Sequence, residues 1–473
     1  MARDRIQLMA KTVRLTLLAI AGALFIATGC RAIGEDEGRP RGDSRSEEEE
    51  VQRGTPGYSA QMEISSQPVA SSAATGWDSE RLWSRHVDWE PAIAADPSAP
   101  YVYQLTTRYH APACHGCGDP AIVFRRSSDG GRTWEADTYP DPVPGSQHDP
   151  QIEVASDGTI YAVYLHRLRP GVVLQKSSDL GVTWTPPVAI KDAGGPRWSD
   201  KPWLTLSPDG RDVYIAFNSS DSYVAASRDY GRTFETPVRT NQDQRHWFHS
   251  GGAVAPNGDV YFAAVDYSQN YRGVSHINVL KSIDGGASWT THRVDASQEM
   301  PACRWAEGCY RGFLGPSATL AIDPAGTILL AYHAGDRPGS SQSMWIRTST
   351  NGVDWSSRRR VSARTDRVNN AFPAVEAFDR GDFRLVWQDD RRSSRDGWNT
   401  WYRSTADGGS TWSRVARLSD VGSGPSYKDK NGYRFPYGDY LEIAVDQNGM
   451  NQIIWGAGES YDGNGGTWFT RGR

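Results

Sequence analysis

Along most of this chain apolar and polar residues alternate in short runs, and pairs of such runs flank a turn signal. Examples are QIEVASDGTIYAVYLH (151–166), LTLSPDGRDVYIAFN (204–218) and AVAPNGDVYFAAVD (253–266). A period of two marks half-buried strands, and the D-G or N-G pair between them marks a tight hairpin. The unit recurs as ATLAIDPAGTILLAYH (318–333), AVEAFDRGDFRLVWQ (374–388) and LEIAVDQNGMNQIIW (441–455). With AIAADPSAPYVYQLT (92–106) it makes seven hairpins. The region sustains no helical period, so the fold class is all-β.

A second motif lies between the hairpins: SSDGGRTW (127–134), SSDLGVTW (177–184), SRDYGRTF (227–234), SIDGGASW (282–289), the shortened STNGVDW (349–355) and TADGGSTW (405–412). This is the Asp-box, or BNR, pattern, and its chemistry is structural. A carboxylate accepts backbone N–H bonds across a tight turn, Gly supplies a positive φ, and the aromatic ring packs beneath the hairpin. Seven inner hairpins and six Asp-boxes predict a β-propeller of four-stranded blades, with the box between strands 3 and 4. Residues 89–473 allow about 55 residues for each of seven blades. Six blades are the alternative, with the final hairpin as decoration. That hairpin leaves room for one more strand, GTWFTRGR (466–473). Its fourth strand is expected from the segment before Trp89, with QMEIS (61–65) as the candidate, so the propeller is assigned to residues 59–473.

The N-terminus has another pattern. Arg3, Arg5, Lys11 and Arg14 precede the apolar run LTLLAIAGALFI (15–26), too short to span a bilayer as a helix, and Ala27, Thr28, Gly29 and Cys30 follow. This order resembles the lipobox of bacterial lipoproteins. The resemblance implies a signal peptide over 1–30, lipidation of Cys30, and an exported lipoprotein of the bacterial cell envelope, at the outer membrane or cell surface. The membrane would be met through the lipid only. Residues 31–58 are rich in charge, Gly and Pro and read as a disordered tether. A net charge of −5 without a polybasic segment argues against nucleic-acid partners, and a monomer is expected.

HAPACHGC sets His110, Cys114, His115 and Cys117 close together, a spacing that can hold zinc. Export favours disulfides instead, Cys114 with Cys117 and Cys303 with Cys309. No cofactor is required; a structural calcium or zinc is compatible.

In a four-stranded blade the 1-2 and 3-4 turns share one face, so the Asp-boxes mark the face opposite the site. Long insertions at 110–120, 291–312 and 417–440 fall on the other face, where binding and chemistry usually sit. Strand-end residues expected at the channel mouth include Glu90, His148, Asp149, Asp200, Lys201, His249, Asn370 and Asp439. At the ends of the second strands come Arg108, His166, Asn218, Asp266, His333, Arg337, Asp389 and Arg391. Acids, bases and cations converging on a concave rim suit a polar glycan.

With six Asp-boxes and the segments HDPQIEVA, SDKPWLTLS and YGDYLEIAV, the chain resembles the bacterial sialidase-like propeller superfamily over residues 89–473. The resemblance implies a glycoside hydrolase acting on acidic glycans, with three arginines on the substrate carboxylate, a Tyr nucleophile partnered by Glu, and an Asp acid/base. The catalytic candidates are His148, Asp149, His166, Lys201, His249, Tyr437 and Asp439. Substrate-binding candidates are Arg108, Trp203, Arg337, Arg391 and Tyr440. Where a sialidase has its first arginine beside Pro, this chain has Glu90. The chain is also similar to seven-bladed ulvan-type polysaccharide lyases, whose sites pair two histidines of one blade with Tyr and Arg. His148 and His166 bracket the inner hairpin of blade 2, while Lys201 or Trp203 and Asn218 stand where Tyr and Arg are expected. The alternatives are therefore β-elimination on a uronic-acid polysaccharide, or a noncatalytic propeller binding glycan or protein.

Overall fold

The computed structural model describes residues 73–82, 86–110, 114–167, 171–190, 199–219, 221–300, 315–363, 367–391, 398–419, 440–458 and 465–473, and the backbone of a short hairpin, Lys428–Asp429 with Gly432–Tyr433. The hairpins of the sequence become the first two strands of seven antiparallel blades. The inner strands are Val87–Ala95, Gln147–Val154, Asp200–Leu206, His246–Val254, Ala318–Ile322, Asn370–Ala377 and Glu442–Val445. Each adjoins the next, and the last adjoins the first, so the ring is closed and has seven blades rather than six. Among the described residues no helix is long and apolar enough to cross a membrane.

Closure joins the two ends of the propeller. Arg81 and Leu82 pair with Phe469 and Trp468, and Trp77 bridges Gly472. Asp78 N donates to Arg471 O at 2.8 Å and Arg473 N to Gly76 O at 3.0 Å. The expected closing segment 61–65 lies outside the described residues; the strand that pairs is Arg81–Leu82. A second correction concerns 291–312: its first residues are the outer strand of blade 4, Thr290–Ser297, rather than a rim loop. The other described outer strands are two residues long or a single bridge, Phe124 with Thr138, which leaves little free edge for pairing with another chain.

Apolar side chains on both blade faces meet in seven clusters, one per blade interface. The aromatic residue of each aspartate turn feeds these seams: Trp184 packs edge-on against Phe124 at 5.2 Å and Trp134 against Phe469 at 5.3 Å. The turns themselves follow the expected chemistry. Asp129 accepts from Arg132 N at 2.9 Å, Thr133 N at 2.8 Å and Thr133 Oγ1 at 2.6 Å. In the shortened turn Asn351 takes the same part, accepting from Val353 N and Asp354 N at 2.9 Å. Gly131, with φ +80°, has no room for a Cβ, which would meet Gln452 Oε1 of blade 7 at 2.5 Å.

Candidate functional site

Five inner strands carry a β-bulge at the same height. Register skips between Trp89 and Ala92, His148 and Gln151, Asp200 and Trp203, His249 and Gly252, and Ala371 and Ala374. In blades 1, 2, 3 and 6 the bulge is an X-Pro pair whose first residue is left-handed: Glu90 (φ 54°), Asp149 (51°), Lys201 (46°) and Phe372 (54°). Such conformations cost a non-glycine residue on the order of 1–3 kcal/mol. The proline that follows has no N–H to leave unpaired where the ladder breaks.

Three of these residues meet. Lys201 Nζ lies 3.4 Å from Glu90 Oε1 and 3.8 Å from Asp149 Oδ1. Lys201 N donates to Asp200 Oδ1 at 2.8 Å. The Lys201 ammonium stands 5.6 Å from the centre of the Tyr440 ring, and Trp203 meets that ring edge-on at 6.4 Å. The Tyr440 hydroxyl donates to Pro150 O at 3.3 Å, and His148 packs 6.4 Å from Tyr109. Glu90, Asp149 and Asp200 are buried. Burial alone would raise the Asp149 carboxyl. The Lys201 charge and hydrogen bonds shared with the Glu90 and Asp200 carboxyls outweigh it and hold Asp149 well below the usual range. Burial, reinforced by the Glu90 and Asp149 charges, pushes the Tyr440 phenol well above its ordinary value.

The other predicted residues lie elsewhere. Arg108 is buried and committed to Asp88, at 2.7 and 2.9 Å, and to Asp137. Arg391 is bidentate with Asp389 and stacks on Trp401 at 3.9 Å, while the backbone of Arg337 forms a turn with Ser340. The described residues thus form no three-arginine clamp at the Lys201 cluster. His249 Nε2 bonds Ser222 Oγ at 2.8 Å in the blade 3–4 interface, and burial pushes its pKa down to about 3. It is a neutral packing residue rather than a rim base. Gln147 pairs with His166 and His148 with Leu165, so the two histidines project from alternate faces of blade 2. His166 Nδ1 sits 3.6 Å from Asp141, away from Tyr109 and His148. Tyr437, Asp439, Cys30, Cys303 and Cys309 lie outside the described residues. Cys114 and Cys117 form a disulfide, so neither offers zinc a thiolate. No cluster of three potential metal ligands occurs among the described residues.

The sequence reading passed over a second set of acids. A central cavity of about 300 Å³ runs down the inner strands and includes Gln151, Trp203, Thr205, Glu153, Glu376 and Glu442 in its wall, and none of its lining residues is Lys, Arg or His. Burial and the Glu376 charge raise Glu153 to about 8, and burial raises Glu376 to about 7. Glu442 is also raised, although it accepts from Ile93 N at 2.8 Å. These acids alternate with aliphatics in QIEVA, AVEAF and LEIAV, a pattern that also fits a solvent-facing strand position; only the ring makes that position the channel wall.

No family model and no curated protein matches the chain. Among solved structures, a PL25 ulvan lyase bound to -[GlcA(1-4)Rha3S]- aligns with TM-score 0.52 and 11% identity, over 82% of this chain and 94% of that one. The Hadza microbial sialidase Hz136 aligns with TM-score 0.44 and 16% identity over 82% of this chain, which spans 65% of the sialidase's length. The NanB sialidase of Streptococcus pneumoniae aligns with TM-score 0.44 and 12% identity, over 86% and 71%. The lyase likeness shows the fold. Activity has to be argued from the residues at the mouth of the channel.

Proposed function

We propose that this chain is an exported, lipid-anchored, carbohydrate-active propeller that hydrolyses glycosidic bonds over the Glu90–Asp149–Lys201 cluster. One observation carries the reading: three successive blades each bring a charged residue, in a left-handed conformation, to a single buried point. Strain of this kind persists where the surrounding fold holds it, and here it aims three charged side chains at one another.

Asp149, held ionised, is the base of the proposed step, and Glu90, which shares the Lys201 ammonium with it, is the acid once it has taken up a proton. Two carboxyls in contact can hold one proton between them, so that one serves as acid and the other as base. In the proposed step Glu90 gives its proton to the leaving glycosidic oxygen as the C–O bond breaks. Water attacks the anomeric carbon and its proton passes to Asp149. Lys201 fixes the charge balance, and Trp203 with Tyr440 offers an aromatic wall for a sugar ring.

The raised Tyr440 phenol disfavours it both as a sialidase-type nucleophile and as the base of a β-elimination. The acidic-glycan expectation drew on an arginine clamp that the described residues do not form. The test therefore pairs sialyllactose and a uronate polysaccharide with neutral oligosaccharides, and scores new reducing ends beside unsaturated product. Hydrolysis that falls by two orders of magnitude or more in Asp149→Asn supports the reading. Unsaturated product would make the chain a lyase, and binding without turnover would make it a binding module.

A further inference from the structure

The end of the chain that leads to Cys30 enters the ring on a defined face. In blade 7 the third strand, Gly465–Gly472, and the fourth, Arg81–Leu82, are separate ends of the chain, and Trp77 bridges Gly472. The N-terminal segment therefore joins the propeller where the other blades have their 3-4 aspartate turn. The chain that leads to Cys30 leaves the propeller from that face, opposite the one holding Glu90, Asp149 and Lys201.

The same face carries most of the exposed large apolar side chains of the described residues. Of seven exposed large apolar side chains among the described residues, five are on its turns: Val182 (67%), Tyr230 (41%), Ile283 (74%), Val353 (46%) and Phe378 (39%). They belong to five consecutive blades, so they form an arc rather than a single spot. Val274, on a 2-3 loop, belongs to the opposite face. Exposed arginines at 132, 211, 232 and 380 stand among them, as do exposed Asp157, Asp179, Asp209, Asp284, Asp354 and Asp379. These charges give the face no positive balance towards an anionic bilayer, and the apolar arc supplies the contact.

We propose that the aspartate-turn face docks on a lipid bilayer, with Val182, Tyr230, Ile283, Val353 and Phe378 entering the interfacial layer and the channel mouth held outward. A spacer of about 40 residues between Cys30 and Ala73 is long enough to let either face reach the membrane, so the lipid alone sets no orientation. The acyl chains of a lipobox cysteine hold the chain on the bilayer, and the docked arc provides the orientation.

The test reconstitutes the full lipidated chain in vesicles of phosphatidylethanolamine and phosphatidylglycerol and follows amide hydrogen exchange. Exchange is expected to slow five-fold or more at the turns 179–183, 229–233, 283–287 and 351–354, with no change at the opposite turn 268–274. In V182D/I283D this protection should disappear while the lipid keeps the chain on the vesicles. Equal exchange on both faces with and without vesicles, protection confined to the opposite face, or failure of the chain to partition with vesicles would each overturn the proposal.

Discussion

Replacing Glu153 by Gln removes one carboxyl from the channel wall while keeping its shape. In the folded protein burial and the facing Glu376 raise this group from 4.5 to about 8. The sign follows from proton binding: the native state holds the proton more tightly than the unfolded chain, so its stability is complete below pH 4.5 and declines as pH climbs towards 8. The full rise corresponds to at most about 5 kcal/mol at pH 9, and water reaching the lumen reduces this to about 2–3 kcal/mol. Gln does not titrate. Glu153→Gln should therefore match the wild type near pH 4.5 and exceed it at pH 9, with Tm higher by roughly 5 °C. Denaturant or thermal unfolding from pH 4 to 9 measures the difference. Parallel profiles for the two proteins across that range would show that Glu153 ionises as freely in the channel as in water, and the account of the channel acids would fail.

Asp149→Asn should lower turnover by two orders of magnitude or more with little change in Tm, read from kcat on whichever glycan is cleaved. His249→Ala should act in the reverse way, costing about 1–3 kcal/mol through its bond to Ser222 while sparing kcat, because the imidazole is neutral and buried. Trp77→Ala removes the buried ring at the closure, where Trp77 meets Tyr402 edge-on at 4.8 Å, and should cost about 3–4 kcal/mol in denaturant unfolding. Asp129→Ala should weaken the first aspartate turn. Because hydrogen bonds from Thr133, Ser127 and Arg132 outweigh its slight burial and hold its pKa down to about 2, the wild type's advantage should be present above pH 4 and lost as pH falls through 2.

The hairpins and aspartate turns were legible because both are local: period-two alternation, a D-G turn, and a carboxylate five residues before an aromatic. The ring closure was not. Arg81–Leu82 is two residues long, so it carries no alternation, and only its partner at the other end of the chain makes it a strand. QMEIS alternates better and drew the assignment for that reason. The site was half legible. Glu90, Asp149 and Lys201 are all reached from their place at the start of an inner strand, although Glu90 is not among the catalytic candidates. A stronger signal was present in Glu90-Pro91, Asp149-Pro150, Lys201-Pro202 and Phe372-Pro373, an X-Pro pair at one offset before the apolar run of four blades. His249 misled because its place in the sequence matches a rim position. The bulge between His249 and Gly252 and the Ser222 hydroxyl beside it decide where its ring goes.

Phe372 separates what the fold requires from what chemistry would require. It has the same left-handed φ and the same following proline as Glu90, Asp149 and Lys201, yet its side chain is apolar and buried in the cluster that joins blade 6 to blade 7. The bulge is therefore a device of the ring, a way of turning each inner strand at the channel mouth, and it does not by itself signal function. Blade 4 bulges at the same height with Ser250-Gly251-Gly252 and without a left-handed residue, and a Cβ on Gly252 would fall 2.4 Å from the Phe262 ring. What the bulge provides is aim, because a left-handed residue sends its side chain in a direction the pleat does not allow. On blades 1, 2 and 3 the aimed side chains are Glu, Asp and Lys, and they converge; on blade 6 it is Phe. Exchanging only the charges, as in Lys201→Met, should leave the bulge and the blade intact and abolish the low proton affinity of Asp149. Folding unchanged by circular dichroism, together with a carboxyl that now titrates upward by NMR, is the expected result. A loss of fold in Lys201→Met would instead assign the ion pairs to stability and take from the cluster its claim to be a site.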